Sequence, residues 1–322
     1  MGALSTYSVA IRTLGKAGEK FERMIRSLEL QTIPPERILV YIAEGYPIPQ
    51  KVGCEEYVSV PKGMVHQRAL PYEEVESEYL LLCDDDMLFE QDSVERLFEG
   101  LRRCGGDAIS PNVYFNHRWD MKEKLIQSVF HGLYPSLFTR YAFRVRRSGY
   151  FSYRLHPREV METQCFAGGC ILLKKTDFLS ISLQDENWMD INGYPLGEDL
   201  VFAYKLHCSG FKVLVHSGSG ISHQDAGSSH ETDRDADYEK SLFMRYAIWY
   251  RCLYSPAGLL GKPLCLTAFY GRWLFRYAVS LASWALGRNK ISHRSSIRAI
   301  RDARIFTRSE LFVNLPPWPT KK

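Results

Sequence analysis

Three consecutive carboxylates, Asp84, Asp85 and Asp86, directly follow an apolar run at residues 79–83. The run does not alternate polar and apolar residues, so it predicts a strand that is buried on both faces. Ligands of parallel α/β sheets bind beyond the carboxyl ends of the strands, which is where these side chains would lie. Because neighbouring carboxylates repel each other, folding alone gives no reason for the cluster, and it indicates a binding site.

Several interpretations of the cluster can be compared. Capping of the next helix would need only one carboxylate. An EF-hand loop that starts at Asp84 would put Leu88 and Phe89 where an oxygen ligand and a glycine are required, which excludes it. A Walker B strand would need a GxxxxGK[ST] loop, which the sequence lacks. The remaining interpretation is a divalent cation, Mg²⁺ or Mn²⁺, held between the carboxylates and a nucleotide diphosphate.

The elements that must position these carboxylates alternate between strand and helix patterns. Short apolar runs at residues 8–13 and 37–43 predict strands, and the apolar residues between them recur at helical spacing. The segment after Asp92 has a helical apolar stripe that ends in two glycines, and a strand-like run follows at 107–110. The alternation predicts an α/β domain with a mostly parallel sheet flanked by helices.

The second half of the chain is less regular. Residues 113–160 are rich in Tyr, Phe and Arg without a clear period, which predicts loops or an insertion. Regular patterns resume with a strand at 170–175, a helix at 198–208 and a strand at 211–216. Residues 217–237 are rich in Ser, Gly and Asp and have the composition of a mobile loop.

The composition is that of a globular protein: 322 residues, 45% hydrophobic and 24% charged. The eight cysteines lack the spacing of a zinc site or a disulfide framework, which favours a reducing cytosol. The N-terminus shows no secretory signal. We therefore expect a cytoplasmic protein.

Charge divides the chain into two parts. Residues 240–322 carry +13 and the preceding residues carry −9, although the net charge is only +4. We predict a nucleotide-binding domain at 1–237 and a basic, aromatic-rich helical region at 238–322, with a loose Pro-rich tail. The longest uncharged run of this region, 277–287, is shorter than the ~20 residues that a membrane-spanning helix needs.

The basic region is predicted to lie on an anionic membrane surface. Arg294, Arg298 and Arg301 fall on one face of a predicted helix, and aromatic side chains suit the membrane interface. A helical lid packed on the first domain is the alternative. No RNA-binding signature accompanies the charge, so nucleic acid is not an expected partner.

Residues 7–225 resemble family 2 glycosyltransferases of the GT-A fold. The resemblance rests on the order and approximate spacing of short motifs: SVAIRT (8–13), Glu44, QRA (67–69), CDDDM (83–87), FAGGCILLKK (166–175), GEDL (197–200) and His223. It implies a Rossmann-like GT-A domain with a C-terminal helical extension. It also implies transfer of a sugar from a nucleotide diphosphate sugar, typically with inversion, to an acceptor hydroxyl.

The resemblance implies donor-binding roles for five residues. Thr13 and Glu44 would line the nucleobase pocket, with Glu44 where the family usually has Asp. Arg68 would face the nucleotide, and Asp84 and Asp85 would lie near the ribose.

The metal and the acceptor are assigned in the same way. Asp86 and His223 would bind Mn²⁺ or Mg²⁺. Gly168, Gly169 and Glu198 would lie on the acceptor side, where glycines let the backbone approach a ligand closely.

Asp199 of GEDL is the predicted catalytic base. Inversion by a single displacement requires a group that takes the proton of the acceptor hydroxyl. The structural alternative is that Glu198 and Asp199 are first-turn acids favoured by the helix dipole.

Three departures from the family pattern limit what the resemblance implies. Arg12 replaces the usual proline, EGY replaces the acidic turn after the second strand, and no QxxRW follows GEDL. The last absence favours single-sugar addition over a processive synthase. A lipid-linked or glycan acceptor would fit an enzyme on the cytoplasmic face of the inner membrane.

Two other functions remain open. A sugar-phosphate nucleotidyltransferase would share a related fold, although only GKAGEK follows the first strand in place of a Gly-rich phosphate loop. A catalytically silent glycan-binding or scaffold protein is the second. The enzymatic interpretation requires the three aspartates to face a cleft and not to be neutralised by arginines.

Overall fold

The computed structural model describes residues 6–113, 120–166, 169–192, 196–224, 234–287 and 293–320. The strands, numbered in chain order, are β1 (Tyr7–Thr13), β2 (Ile38–Ala43), β3 (Glu56–Val60), β4 (Tyr79–Asp84), β5 (Met87–Phe89), β6 (Ala108–Pro111), β7 (Leu133–Ser136), β8 (Phe143–Val145), β9 (Phe151–Arg154), β10 (Val160–Glu162), β11 (Cys170–Lys174), β12 (Val213–His216) and β13 (Ile221–His223).

The helices follow the same numbering. They are α1 (Glu19–Glu29), α2 (Ser93–Cys104), α3 (Met121–Ile126), α4 (Lys175–Ser180), α5 (Glu198–Cys208), α6 (Arg234–Trp249), α7 (Gly261–Ala285), α8 (His293–Phe306) and α9 (Glu310–Val313). Short π-helical segments, Gln127–His131 and Tyr250–Tyr254, follow α3 and α6, and a 3₁₀ segment spans Leu183–Asn192.

The main sheet has eight strands in the order β10-β12-β6-β11-β4-β1-β2-β3 among the residues described. β1 pairs in parallel with β2 and β4, whereas β11 runs antiparallel between β4 and β6. The predicted α/β architecture, with a mostly parallel sheet and a C-terminal helical part, is confirmed.

The centre of the sheet fixes the position of the carboxylate cluster. Val9, Ile11 and Leu81 are fully buried, as expected for strands covered on both faces. The parallel register of β1 and β4 pairs Arg12 with Asp84 at their carboxyl ends. The chain therefore turns from the sheet core into Asp85 and Asp86 at the edge where ligands of α/β folds bind.

Two smaller sheets lie where loops were predicted. β13, which lies within the predicted loop 217–237, pairs in antiparallel with β5. This pairing puts His223 opposite Met87. The segment 113–160 contains the three-stranded sheet β7-β9-β8. The loop predictions were wrong at these strands because each has only three or four residues, too few for a readable period.

The C-terminal region shares a core with the sheet. Ile248 of α6 and Phe312 of α9 belong to the same buried cluster as Leu82 of β4. The tail prediction was wrong, since Trp318 is 6% exposed and belongs to this cluster. The predicted boundary at residue 237 falls within α6, and the division into two domains stays a prediction.

In the described part of the chain, no helix combines the length and the apolar character needed to cross a membrane. The 25 residues of α7 contain Lys262, Arg272 and Arg276.

Glu186 connects the C-terminal region to α5 through a buried polar cluster. Its carboxylate is fully buried and accepts hydrogen bonds from Lys205 Nζ at 2.9 Å, Arg251 Nη2 at 3.0 Å and Trp188 Nε1 at 2.8 Å. The Trp318 ring covers both cations, with its centroid 5.9 Å from Lys205 and 5.6 Å from Arg251. Glu186 thus pairs with two buried cations, one from α5 and one from the segment after α6, and Asp185 lies 3.5 Å from Lys205 as a second carboxylate.

We predict that Glu186→Ala lowers the free energy of unfolding by about 3–5 kcal/mol, because the buried Arg251 would lose its carboxylate partner and Lys205 would keep only Asp185 at 3.5 Å. Urea unfolding at pH 7 measures the change. Glu239→Ala is the matched control. It removes the partner of the half-exposed Arg298 and should cost less than about 1 kcal/mol. Equal losses for the two variants would contradict the prediction.

Candidate functional site

The carboxyl ends of β1 and β4 and the start of α5 meet at one ion-pair network. Arg12 Nε lies 2.5 Å from Asp84 Oδ1, and Arg12 Nη2 lies 2.6 Å from Glu198 Oε1. The register of β1 and β4 brings Arg12 beside Asp84. The first turn of α5 brings Glu198 to the same guanidinium.

Arg68 joins the same carboxylates from a loop. Its guanidinium lies 3.0 Å from Asp84 Oδ1, 2.9 Å from Glu198 Oε2 and 2.5 Å from Asp199 Oδ1. The side chain is only 3% exposed. Arg68 therefore lies beneath the carboxylates, and the nucleotide contact predicted for it stays a prediction.

The loop that carries Arg68 is fixed by two further side chains. Gln67 Nε2 donates to the carbonyls of Thr13 at 2.9 Å and Tyr41 at 3.0 Å. Asp190 accepts from the backbone N–H of His66 at 2.9 Å and contacts the His66 ring at 2.8 Å. These bonds tie the loop to the ends of β1 and β2.

The network contains three carboxylates but only two guanidiniums. Burial alone raises the pKa of Asp84, yet Arg12 and Arg68 outweigh it and hold that pKa well below its usual range. Burial raises the pKa of Glu198 against the effect of the same two arginines, and the charges of Asp199 and Asp84 add to the rise. Of the three carboxyl groups, Glu198 is therefore the one that most readily takes up a proton, which relieves the excess of negative charge.

Asp199 is the more exposed carboxylate of the GEDL pair. Its side chain is 29% exposed, against 5% for Glu198. A carboxylate that acts as a base must reach its substrate, and of the GEDL pair only Asp199 meets this condition. The catalytic role of Asp199 stays a prediction.

Asp85 lies outside the arginine network. Thr13 Oγ1 donates to Asp85 Oδ2 at 2.5 Å and accepts from the Gly15 N–H at 2.8 Å. Burial raises the pKa of Asp85 to about 6, with the Thr13 hydrogen bond opposing and the charges of Asp84 and Asp86 adding to the rise. The structure thus brings together Thr13 and Asp85, two of the predicted donor-binding residues.

Asp86 lies beside His223, as the two predicted metal ligands should. Asp86 Oδ1 is 3.2 Å from His223 Nε2, and the pairing of β5 with β13 sets this distance. Among the described residues, no group of three or more His, Cys, Asp and Glu side chains could hold a metal ion. Two side chains suffice only for a cation that takes its other ligands from phosphate and water, as Mg²⁺ does in nucleotide sites.

The requirement that no arginine neutralise the aspartates fails at Asp84. Asp84 is paired with Arg12 and Arg68. Asp85 contacts Thr13, and Asp86 contacts His223. A cation site at this edge would therefore depend on Asp85 and Asp86, with Asp84 as the link to the arginines.

The other predicted residues lie around this edge. Glu44 is exposed just beyond β2, and its N–H donates to Val60 O at 2.8 Å. Gly169 has φ +84° and would bring an added Cβ within 2.9 Å of the Met87 sulfur, so the backbone runs close to the cluster. Gly168 lies outside the described residues.

Sequence reasoning missed two features of the site. Arg12 was noted only as a departure from a family pattern, because its partners are far away in sequence. Tyr46 follows Glu44 and has Lys62 Nζ 2.7 Å from its hydroxyl and Lys16 Nζ 5.3 Å from its ring centroid. A half-buried aromatic ring between two lysines suits stacking and phosphate contacts, but neither lysine forms a motif.

The comparisons with known proteins relate the chain to two solved structures. No family profile and no characterised protein sequence matches it. The crystal structure of S. aureus TarS 1–349 is similar, with a TM-score of 0.53, 14% identity and coverage of 92% of this chain and 80% of that one. The crystal structure of GalNAc-T7 with UDP, GalNAc and Mn²⁺ has a TM-score of 0.54, 13% identity and coverage of 98% and 59%. The predicted GT-A fold is confirmed.

Asp85 gives a pH-dependent prediction. Its folded pKa is above the unfolded value of about 3.9, so its contribution to stability is present below pH 4 and is lost as the pH rises through about 6. Asp85→Asn should therefore raise the free energy of unfolding by about 1–2 kcal/mol at pH 8 and leave it unchanged at pH 4. Urea unfolding in EDTA measures this. Asp302→Asn, at an exposed site, should show no such pH-dependent gain.

Proposed function

We propose that this protein is a metal-dependent, inverting glycosyltransferase that moves a single sugar from a nucleotide diphosphate sugar to a hydroxyl of a glycan or lipid-linked acceptor. The observation that carries the proposal is that Asp85 and Asp86 follow β4 at the carboxyl edge of the sheet, where Arg68 links Asp84 to Asp199 at the start of α5. The fold shared with GalNAc-T7, which was crystallised with UDP, GalNAc and Mn²⁺, supports it.

The donor would bind across the ends of β1, β2 and β4. Thr13 and Glu44 would contact the nucleobase, and Asp85 the ribose. Lys16 and Lys62, which flank Tyr46, would add positive charge just beyond the end of β2. This arrangement would orient a diphosphate towards Asp86.

Asp86 and His223 would hold Mn²⁺ or Mg²⁺ against the diphosphate. Such a cation neutralises the negative charge that develops on a diphosphate leaving group. The raised pKa of Asp85 would fall when a cation approaches, because opposite charge favours the ionised form.

Asp199 would take the proton of the acceptor hydroxyl. Arg68 binds Asp199 Oδ1 and so orients the carboxylate, which is partly exposed. Glu198 and Arg12 lie behind it and fix the start of α5. Gly168 and Gly169 would let the acceptor approach closely.

The C-terminal region would bind the cytoplasmic face of the membrane, where a lipid-linked acceptor would be found. α8 presents the exposed arginines Arg298 and Arg301. Basic residues near an anionic leaflet contribute about 1 kcal/mol each. If the full chain stays soluble in a flotation assay with anionic vesicles, this part of the proposal fails.

A panel of nucleotide sugars with and without Mn²⁺ tests the donor and the metal together. We expect one donor to raise the Tm only when metal is present, since a diphosphate completes the coordination that Asp86 and His223 begin. Asp86→Asn should abolish this rise. Asp302→Asn, at an exposed site on α8, should preserve it. A rise that persists in EDTA would contradict the metal assignment.

Asp199→Asn separates catalysis from binding. The amide keeps the size of the side chain but cannot accept the proton, so turnover should fall by about 10²- to 10⁴-fold. The donor-induced rise in Tm should be retained within experimental error. If turnover is unchanged in the variant, Asp199 is not the base. If the unmodified chain binds the donor but shows no turnover, the protein is the catalytically silent binding protein.

A further inference from the structure

A pocket of about 500 Å³ lies between α7 and the segment that contains β7. Its walls include two arginines, Arg146 and Arg272, and the ring of Tyr134. Val129 and Phe275 make part of the lining apolar. None of these residues has a role in the proposed transfer.

Arg272 is buried in this wall without a counterion. It is 8% exposed, and its Nη2 donates to Val129 O at 2.6 Å. Its Nε has no hydrogen-bond partner among the described residues. A buried guanidinium with an unused donor is costly, and this cost falls when an anion binds.

The surrounding charges are of the same sign. Arg245 lies over the Tyr150 ring at 4.3 Å, and Arg272 contacts the same ring at 5.0 Å. Arg146 lies 5.1 Å from the Tyr134 ring. In the described part of the chain, no carboxylate forms an ion pair with any of these three arginines.

Titration of a neighbouring group is consistent with a positive potential. Burial lowers the pKa of His131, and the charges of Arg276 and Arg245 lower it further. Burial also lowers the pKa of Arg272, and Arg276 adds to this effect while Tyr134 and Tyr150 oppose it. A bound anion would offset the repulsion among these cations.

The pocket continues into an apolar stripe. Leu264, Ala268 and Phe275 follow each other on one face of α7 by helical periodicity, and Arg272 lies beside that face. Leu264 and Phe275 are each 49% exposed. The site thus combines an anion-binding end with an exposed apolar track.

The pocket lies close to the start of α5. A Cβ added to Gly197 would be 3.1 Å from Ile248 Cδ1, so the end of α6 contacts the GEDL turn. The next residue, Trp249, donates from Nε1 to Arg147 O at 2.8 Å, directly beside Arg146. Only the end of α6, one helix of about 10 Å in diameter, separates the two regions.

We propose that this pocket binds a phosphate group carried on an apolar chain, with Arg272 and Arg146 as the anion ligands. The assignment of this group to the acceptor rests on the proposed function, whereas the binding itself does not. The two arginines could also hold free phosphate. The exposed apolar track on α7 favours a phosphate that is attached to an apolar chain.

Isothermal titration calorimetry on the full chain, with hexyl phosphate, inorganic phosphate and hexanol as probes, tests the proposal. Hexyl phosphate should bind at least about tenfold more tightly than inorganic phosphate, because its chain covers Phe275 and Ala268. Hexanol should not bind measurably. Equal affinities for the two phosphates would assign the site to free phosphate and overturn the proposal that its ligand carries an apolar chain.

Arg272→Gln should raise the Kd for hexyl phosphate by about tenfold to a hundredfold, since it removes a charge-assisted hydrogen bond. Arg103→Gln is the control, because it removes the same charge from an exposed arginine that already pairs with Glu159, and it should change the Kd less than twofold. Arg146→Gln, at an exposed position, provides the test if Arg272→Gln does not fold. No binding to the unmodified chain, or no effect of the pocket variants, would overturn the proposal.

The donor site is distinguished by Asp86→Asn. This variant should lose the metal-dependent donor effect and keep hexyl phosphate binding. Anion binding without any donor binding would leave the pocket standing and remove the proposed transferase. Donor binding without anion binding would remove the pocket alone.

Discussion

Two guanidiniums hold three carboxylates together at the edge where the sheet ends. Arg12 and Arg68 join β4 to the start of α5 through Asp84 and Glu198, at distances of 2.5 to 3.0 Å. If either arginine were lost, three carboxylates would share a single guanidinium, which is costly in a protein interior. The geometry of the whole edge therefore depends on these ion pairs.

The pairing also decides where further positive charge can bind. Asp84 is paired with Arg12 and Arg68, Asp85 accepts a hydrogen bond from Thr13, and Asp86 lies beside His223. Each of the three carboxylates is thus held by different partners. A fixed arrangement of this kind needs little reorganisation when a charged ligand arrives.

Much of this edge could be predicted from local sequence. The apolar run before Asp84 indicated β4, and the acids before an apolar segment indicated the start of α5. The partners of Arg12 could not be predicted, because Asp84 is 72 positions away and Glu198 is on another element. β13 was missed because three residues carry no readable period, so the Asp86–His223 contact followed only from the family resemblance.

Glu186 has a consequence for how this chain can diverge. Lys205, which it binds, is on the same helix as Asp199, and Arg251 follows the helix that contacts Gly197. The C-terminal helices are thus connected by buried ion pairs to the helix that carries Asp199. If those helices were replaced by the helices of a distant homologue, the receiving chain would have to keep the acid at position 186 and the lysine at position 205. These segments should therefore be inherited as one unit.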